Sequence, residues 1–194
     1  MPTLVLDRRG WLKPSLGVRQ APSPNCDARP ADTEPRLLVI HNISLPPGKF
    51  GGPEIIDLFL NRLDYSSHPW LEQLRGLTVS AHFLIRRDGG IVQFVSTDKR
   101  AWHAGASHFE GHERCNDFSI GIELEGTDTL AYEDEQYLSL KRLTQALKNQ
   151  YPLGAVRGHE HIAPGRKTDP GPAFDWNRYG RESGWFRRQM PPVR

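Results

Sequence analysis

The chain has 194 residues, with 25 Lys and Arg against 23 Asp and Glu, for a net charge of +2 with histidine neutral. At 37% hydrophobic and 25% charged it has the composition of one soluble globular domain, which excludes collagen-like, coiled-coil and wholly disordered chains. The balanced charge argues against a nucleic-acid partner, which needs a clustered basic face. No apolar run approaches the ~20 residues of a membrane span, so no membrane partner is expected. The segment Met1–Arg9 lacks an apolar core followed by a small-residue cleavage site. No secretory signal is therefore expected, the protein is read as cytoplasmic, and Cys26 and Cys115 are read as reduced thiols.

In chain order, residues 1–35 are rich in Pro, Arg and Asp without sustained periodicity, which predicts an N-terminal arm packed on the domain. Leu37-Leu38-Val39-Ile40 is an unbroken apolar run, as expected for a central strand covered on both faces, ending at His41-Asn42. Pro53 suits a first helical turn, and Ile56, Phe59, Leu60 and Leu63 keep helical spacing after it. Val79 to Ile85 alternates as a strand, Asp88-Gly89 turns the chain, and Ile91 to Val95 returns as its partner. Residues 97–116 read as a long polar loop, a length that is usually functional or mobile. Phe118 to Glu125 alternates again, and the small Ser119 and Gly121 leave space on the face that carries Glu123. Asp134 to Gln150 is helical, with a Leu140/Leu143/Leu147 stripe, acids at its start and Pro152 after its end. The predicted class is α/β (α+β): one domain with a central mixed sheet flanked by helices.

The chain has eight histidines, and the question is which of them converge. His41 ends a buried strand, where sheets of this kind place ligands. His159 follows a glycine, and Asp169 comes ten residues later in a proline-rich loop. A His/His/Asp set leaves one position of a zinc ion open to water, as a catalytic site requires. The His159-Glu160-His161 spacing is not that of a helical zincin. Two residues apart on extended chain, both rings would point the same way, so His159 and His161 stay open as alternatives here. Glu123 faces the space beside Gly121 and could act as proton acceptor, although Glu125, or a plain surface carboxylate, fits the pattern as well. Lys167 could stabilise an oxyanion or simply be solvated. Trp102 could offer a flat ring to a sugar or cap the core edge. Arg114 could hold a carboxylate or form a surface ion pair. His82 reads as core or as support for a ligand, and His68, His108 and His112 as solvated.

Several long motifs carry a resemblance. They are Leu38-Val39-Ile40-His41-Asn42-Ile43-Ser44-Leu45-Pro46-Pro47-Gly48, Val79-Ser80-Ala81-His82, Arg100-Ala101-Trp102-His103-Ala104-Gly105, the run from Cys115 to Asp128, and Gly158-His159 continuing to Arg166-Lys167-Thr168-Asp169-Pro170-Gly171. From Gly10-Trp11 to about Trp176 the chain resembles the AmpD-type 1,6-anhydro-N-acetylmuramyl-L-alanine amidases, part of the zinc amidase group that includes the peptidoglycan recognition proteins. The resemblance implies one Zn²⁺ per chain held by His41, His159 and Asp169, which selects His159 over His161. It implies Glu123 rather than Glu125 as proton acceptor, Lys167 as transition-state stabiliser, and Asn42, Trp102 and Arg114 near the substrate. It further implies a zinc amidase domain over 36–180 with a C-terminal tail over 181–194. The implied activity is hydrolysis of the lactyl–L-Ala amide of a small soluble anhydromuropeptide, by a monomer, in cytosolic cell-wall recycling. Two departures stand out: Gly165 replaces an expected acidic residue, and His161 is an added imidazole.

Overall fold

The computed structural model describes residues 3–192. The helices and strands follow one another in chain order. The first are β1 (Val18–Gln20), β2 (Cys26–Ala28), β3 (Leu37–Ile43), α1 (Glu54–Phe59), β4 (Phe83–Ile85), β5 (Ile91–Gln93) and β6 (Lys99–Ala101). Then come β7 (His108–Phe109), β8 (His112–Glu113), β9 (Ser119–Glu125), α2 (Asp134–Gln150), β10 (Ala155–Gly158), α3 (His159–Ile162) and α4 (Trp176–Ser183).

The main sheet has six strands in the order β1-β5-β4-β9-β3-β10. Only the β4–β5 pair is antiparallel; β1–β5, β4–β9, β9–β3 and β3–β10 are parallel. The sheet is therefore mixed, with helices on both sides. One face carries Leu38, Ile40, Ile120 and Ile122, which pack under Leu140, Leu143 and Leu147 of α2 and Tyr179 of α4. Each fully buried leucine of α2 stabilises the fold by about 1.5–3 kcal/mol relative to exposure. The other face is covered by α1, which packs with Leu84 and Val92, and by a smaller cluster of Leu37, Val39, Ala104, Cys115, Phe118 and Ile162.

Asp134–Gln150 forms as one helix; at its start Glu133 N–H donates to Gln136 Oε1 at 3.1 Å. The strand expected from Val79 begins only at Phe83, because Ser80 N–H bonds to Trp102 O and His82 N–H to Gly121 O instead of running in one ladder. Residues 1–35, read as aperiodic, contribute two short strands. β1 extends the main sheet beside β5, and β2 pairs antiparallel with β6. The polar stretch 97–116 is likewise structured, holding β6 and the small β7–β8 hairpin. At the other end, α4 runs through Arg181 to Ser183, and Trp185 and Met190 are buried in the main core. Cys26 is half-buried, Cys115 is buried, and both are free. Among the described residues no helix is long and apolar enough to cross a membrane.

Candidate metal and catalytic site

In parallel pairing, partners across the ladder share a face. β3 pairs with β9 so that His41 stands opposite Glu123, on the face opposite the α2 leucines. β10 lies on the other side of β3 and ends at Gly158. His159 is the first residue of α3 and so projects beside His41. Asp169 is fixed by its own backbone, whose carbonyl accepts from Glu160 N–H at 2.9 Å. The cluster thus sits at the C-terminal ends of β3 and β10.

The three side chains meet through one atom each. His41 Nδ1 is 3.0 Å from His159 Nδ1, and Asp169 Oδ2 is 3.0 Å from the first and 3.1 Å from the second. The far side of His159 fixes its tautomer: Nε2 faces Ala104 O at 3.0 Å. Only an N–H satisfies a carbonyl there, so in the neutral tautomer the proton sits on Nε2 and the lone pair on Nδ1. Burial, followed by the neighbouring His159, pulls the His41 imidazole down to about 4. His41 is therefore neutral at pH 7, the form that can act as a ligand. Burial pushes the Asp169 carboxyl up, but the two facing imidazoles pull it down further, leaving it well below the usual carboxylate range. Nitrogen lone pairs and a carboxylate converging on one point call for a cation between them. Two imidazoles and one carboxylate fit Zn²⁺ with a position left open.

Glu123 is buried beside this cluster, and its Oε2 has no hydrogen-bond partner. Burial, then the Asp169 charge, pushes its carboxyl well above the normal range, against a smaller downward pull from Lys167. A carboxyl tuned upward next to a convergent ligand set has the character of a general acid–base. Glu125, the other sequence candidate, is committed elsewhere: it accepts from Arg86 Nη1 at 2.7 Å and from Gly51 N–H at 2.7 Å. Lys167 is exposed at the rim, and its charge reaches both His41 and Glu123.

His161 is turned away from the cluster. The chain here is helical rather than extended, so residues two apart point to different sides. Its Nδ1 accepts from Gly158 N–H at 3.0 Å, and its ring meets Trp176 edge-on at 5.5 Å. Gly165 lies in a turn at φ +76 with nothing beside it. Asn42, on the opposite face of β3 from His41, donates to Asp128 Oδ1 at 2.7 Å and to Pro170 O at 3.1 Å, which ties down the loop carrying Asp169. The Trp102 indole N–H donates to Asp27 Oδ1 at 3.3 Å, so the ring rests against the N-terminal segment. Arg114 is exposed, pairs with Asp117 at 3.1 Å, and borders a cavity of about 540 Å³ together with His108, Ile162, Pro164 and Arg166.

Two residues of the site have no role assigned from sequence. The His103 ring packs edge-on against His41, with centroids 5.0 Å apart. The Gly121 gap exists for this ring, since a Cβ on Gly121 would lie 2.5 Å from His103 Cγ. Arg29 is the other. Its guanidinium donates to the carbonyls of Thr97, Asn116, Asp117 and Ser119 at 2.9–3.1 Å, and burial lowers it to about 10. It binds the N-terminal segment to the start of β9. His82, fully buried, donates from Nε2 to Lys99 O and accepts Gly121 N–H at Nδ1, both at 3.0 Å, as expected of a supporting residue.

A mixed α/β sheet with two imidazoles, an aspartate and an unpartnered buried glutamate at its strand ends has the form of a mononuclear metallohydrolase. A family model for N-acetylmuramoyl-L-alanine amidase matches residues 31–172, and the chain belongs to that family. It is 60% identical over 177 residues to the 1,6-anhydro-N-acetylmuramyl-L-alanine amidase AmpD of Escherichia coli K12, covering 90% of this chain and 95% of the relative. The crystal structure of a selenomethionine AmpD derivative superposes with a TM-score of 0.87 at 58% identity, covering 92% of this chain and 98% of that one. The Escherichia coli amidase AmiD, solved with anhydro-N-acetylmuramic acid-L-Ala-D-γ-Glu-L-Lys as substrate, matches with a TM-score of 0.56 at 27% identity over 93% of this chain and 65% of that chain.

Proposed function

We propose that the chain is a zinc-dependent amidase that cuts the bond between the lactyl group of 1,6-anhydro-N-acetylmuramic acid and the L-alanine of soluble muropeptides. The observation that carries this is the convergence of His41, His159 and Asp169 within 3.1 Å of one another, beside the unpartnered Oε2 of Glu123. When bound by these three residues, zinc supplies Lewis acidity toward water and toward the scissile carbonyl. Glu123 takes the proton of the attacking water at Oε2 and delivers it to the leaving alanine nitrogen as the C–N bond breaks. Lys167 balances negative charge on the carbonyl oxygen in the transition state. Asn42, Trp102 and Arg114 border the muropeptide in this reading. The protein acts as a monomer in the cytoplasm, as a step of cell-wall recycling.

The test is chromatography of an anhydromuropeptide incubated with zinc-loaded protein, set beside the same assay on polymeric wall. Release of free stem peptide from the soluble substrate, with little from the polymer, is expected. Intact substrate in the presence of one bound zinc per chain would refute the assignment.

A further inference from the structure

The two imidazoles of the cluster are held from behind by consecutive residues. Ala104 O accepts from His159 Nε2 at 3.0 Å, while the His103 side chain puts its Nδ1 2.9 Å from His41 Nε2. The second ring nitrogen of His103 lies 3.1 Å from Ser119 Oγ. The His103 backbone is pinned as well: Asn116 Oδ1 accepts from His103 N–H at 3.1 Å and from Ala104 N–H at 2.8 Å. Arg166 Nη2 donates to Ala104 O at 2.6 Å. The ring packs directly on Gly121 beneath it, where a Cβ would lie 2.5 Å from His103 Cγ.

We propose that His103 is a positioning residue for the metal centre, holding His41 in the tautomer whose Nδ1 lone pair faces the ion. The inference rests on the metal site proposed above. A neutral imidazole has one N–H and one lone pair. For His41 to bind through Nδ1, its proton must sit on Nε2, where the one ring atom opposite is His103 Nδ1. That nitrogen must then be the acceptor, which places the His103 proton on Nε2, directed at the Ser119 hydroxyl oxygen. The order of donors is Ser119 ← His103 ← His41, which gives each imidazole one N–H and one lone pair. The opposite order would put the His41 proton on Nδ1, pointed into the ligand set. Partners behind a metal-bound histidine typically carry 10–100-fold in metal affinity.

The test compares zinc affinity, by competition with a chromophoric chelator, for the parent, His103→Phe and His103→Gln, alongside zinc-free melting curves. Phe fills the space but cannot accept, and a roughly 10–100-fold loss of zinc affinity is expected with zinc-free melting close to the parent. Gln offers an amide oxygen to the same N–H and should recover most of that loss. A folded Phe variant that binds zinc as tightly as the parent, or a Gln variant no better than Phe, overturns the proposal. If the Phe variant does not fold, ¹⁵N spectra of the histidines in the zinc-loaded parent decide. A proton on His103 Nε2 supports the proposal, and one on Nδ1 overturns it. A parent that takes up no zinc removes the metal site itself, and this inference with it.

Discussion

The two faces of β3 and β9 make an instructive pair. On one, Leu38, Ile40, Ile120 and Ile122 meet the leucines of α2. On the other, Leu37 and Val39 give way to His41, while Ser119 and Gly121 lead to Glu123. The faces do not differ in depth: Ile40 is 0% exposed and His41 1%, Ile122 0% and Glu123 8%. They differ in what burial costs. Apolar side chains gain by leaving water, whereas buried polar groups lose unless every one finds a partner. On the site face His82, His103 and Arg29 are satisfied, and Glu123 Oε2 is not. The apolar face stabilises a fold whose other face holds groups kept for chemistry.

Variants on the two faces should therefore fail in different ways. The largest effect is expected from removing a ligand. His159→Ala or Asp169→Ala should lose stoichiometric zinc and slow turnover by on the order of 10⁴-fold, since metal polarisation supplies several kcal/mol; metal analysis and anhydromuropeptide cleavage read both. Glu123→Gln should keep the zinc yet lose about 10²–10⁴-fold in rate. It should also melt no lower than the parent, because it removes a buried carboxyl without a partner. Lys167→Met should keep both zinc and stability and lose roughly 10²–10³-fold in kcat. On the opposite face Ile122→Ala should cost about 2–5 kcal/mol in denaturant unfolding, while the folded fraction still binds zinc in full.

The subtlest contrast lies in pH. His41 and His82 are lowered from 6.5 to about 4 and about 3 by burial, and then by His159 and by Arg29 respectively. In the unfolded chain both protonate below about 6.5, whereas in the folded chain they resist until far lower. Stability from this source is thus fully present above pH 6.5 and is lost as the pH falls toward 4 and then 3. Denaturant titrations of zinc-free Glu123→Gln protein, which lacks the oppositely shifted Glu123 carboxyl, should show a decline of a few kcal/mol across that window. A flat profile in that variant would mean that the site face is wetter than its burial indicates.

What was legible in the sequence follows from the physics of each feature. α2 runs from Asp134 to Gln150 as its leucine stripe and flanking residues indicate, and β9 follows its alternation. Both patterns come from one element packing on one surface. β1 and β2 are three residues each and exist only because Ile91–Gln93 and Lys99–Ala101 offer them edges, which no local periodicity records. Arg29 was invisible because its partners are backbone carbonyls, and carbonyls leave no mark in a sequence. His103 was passed over in favour of its neighbour Trp102. The clue was the small residue at Gly121, which leaves space beside Glu123 that the His103 imidazole occupies. The choice between His159 and His161 turned on whether the segment was strand or helix, and β10 ends one residue before it.

The most direct test is anomalous diffraction on either side of the zinc absorption edge, from crystals of zinc-loaded protein. One peak per chain is predicted, bonded to His41 Nδ1, His159 Nδ1 and Asp169 Oδ2, with the Glu123 carboxylate facing the remaining position. A peak held through His161, or closed off by a fourth protein side chain, would contradict it.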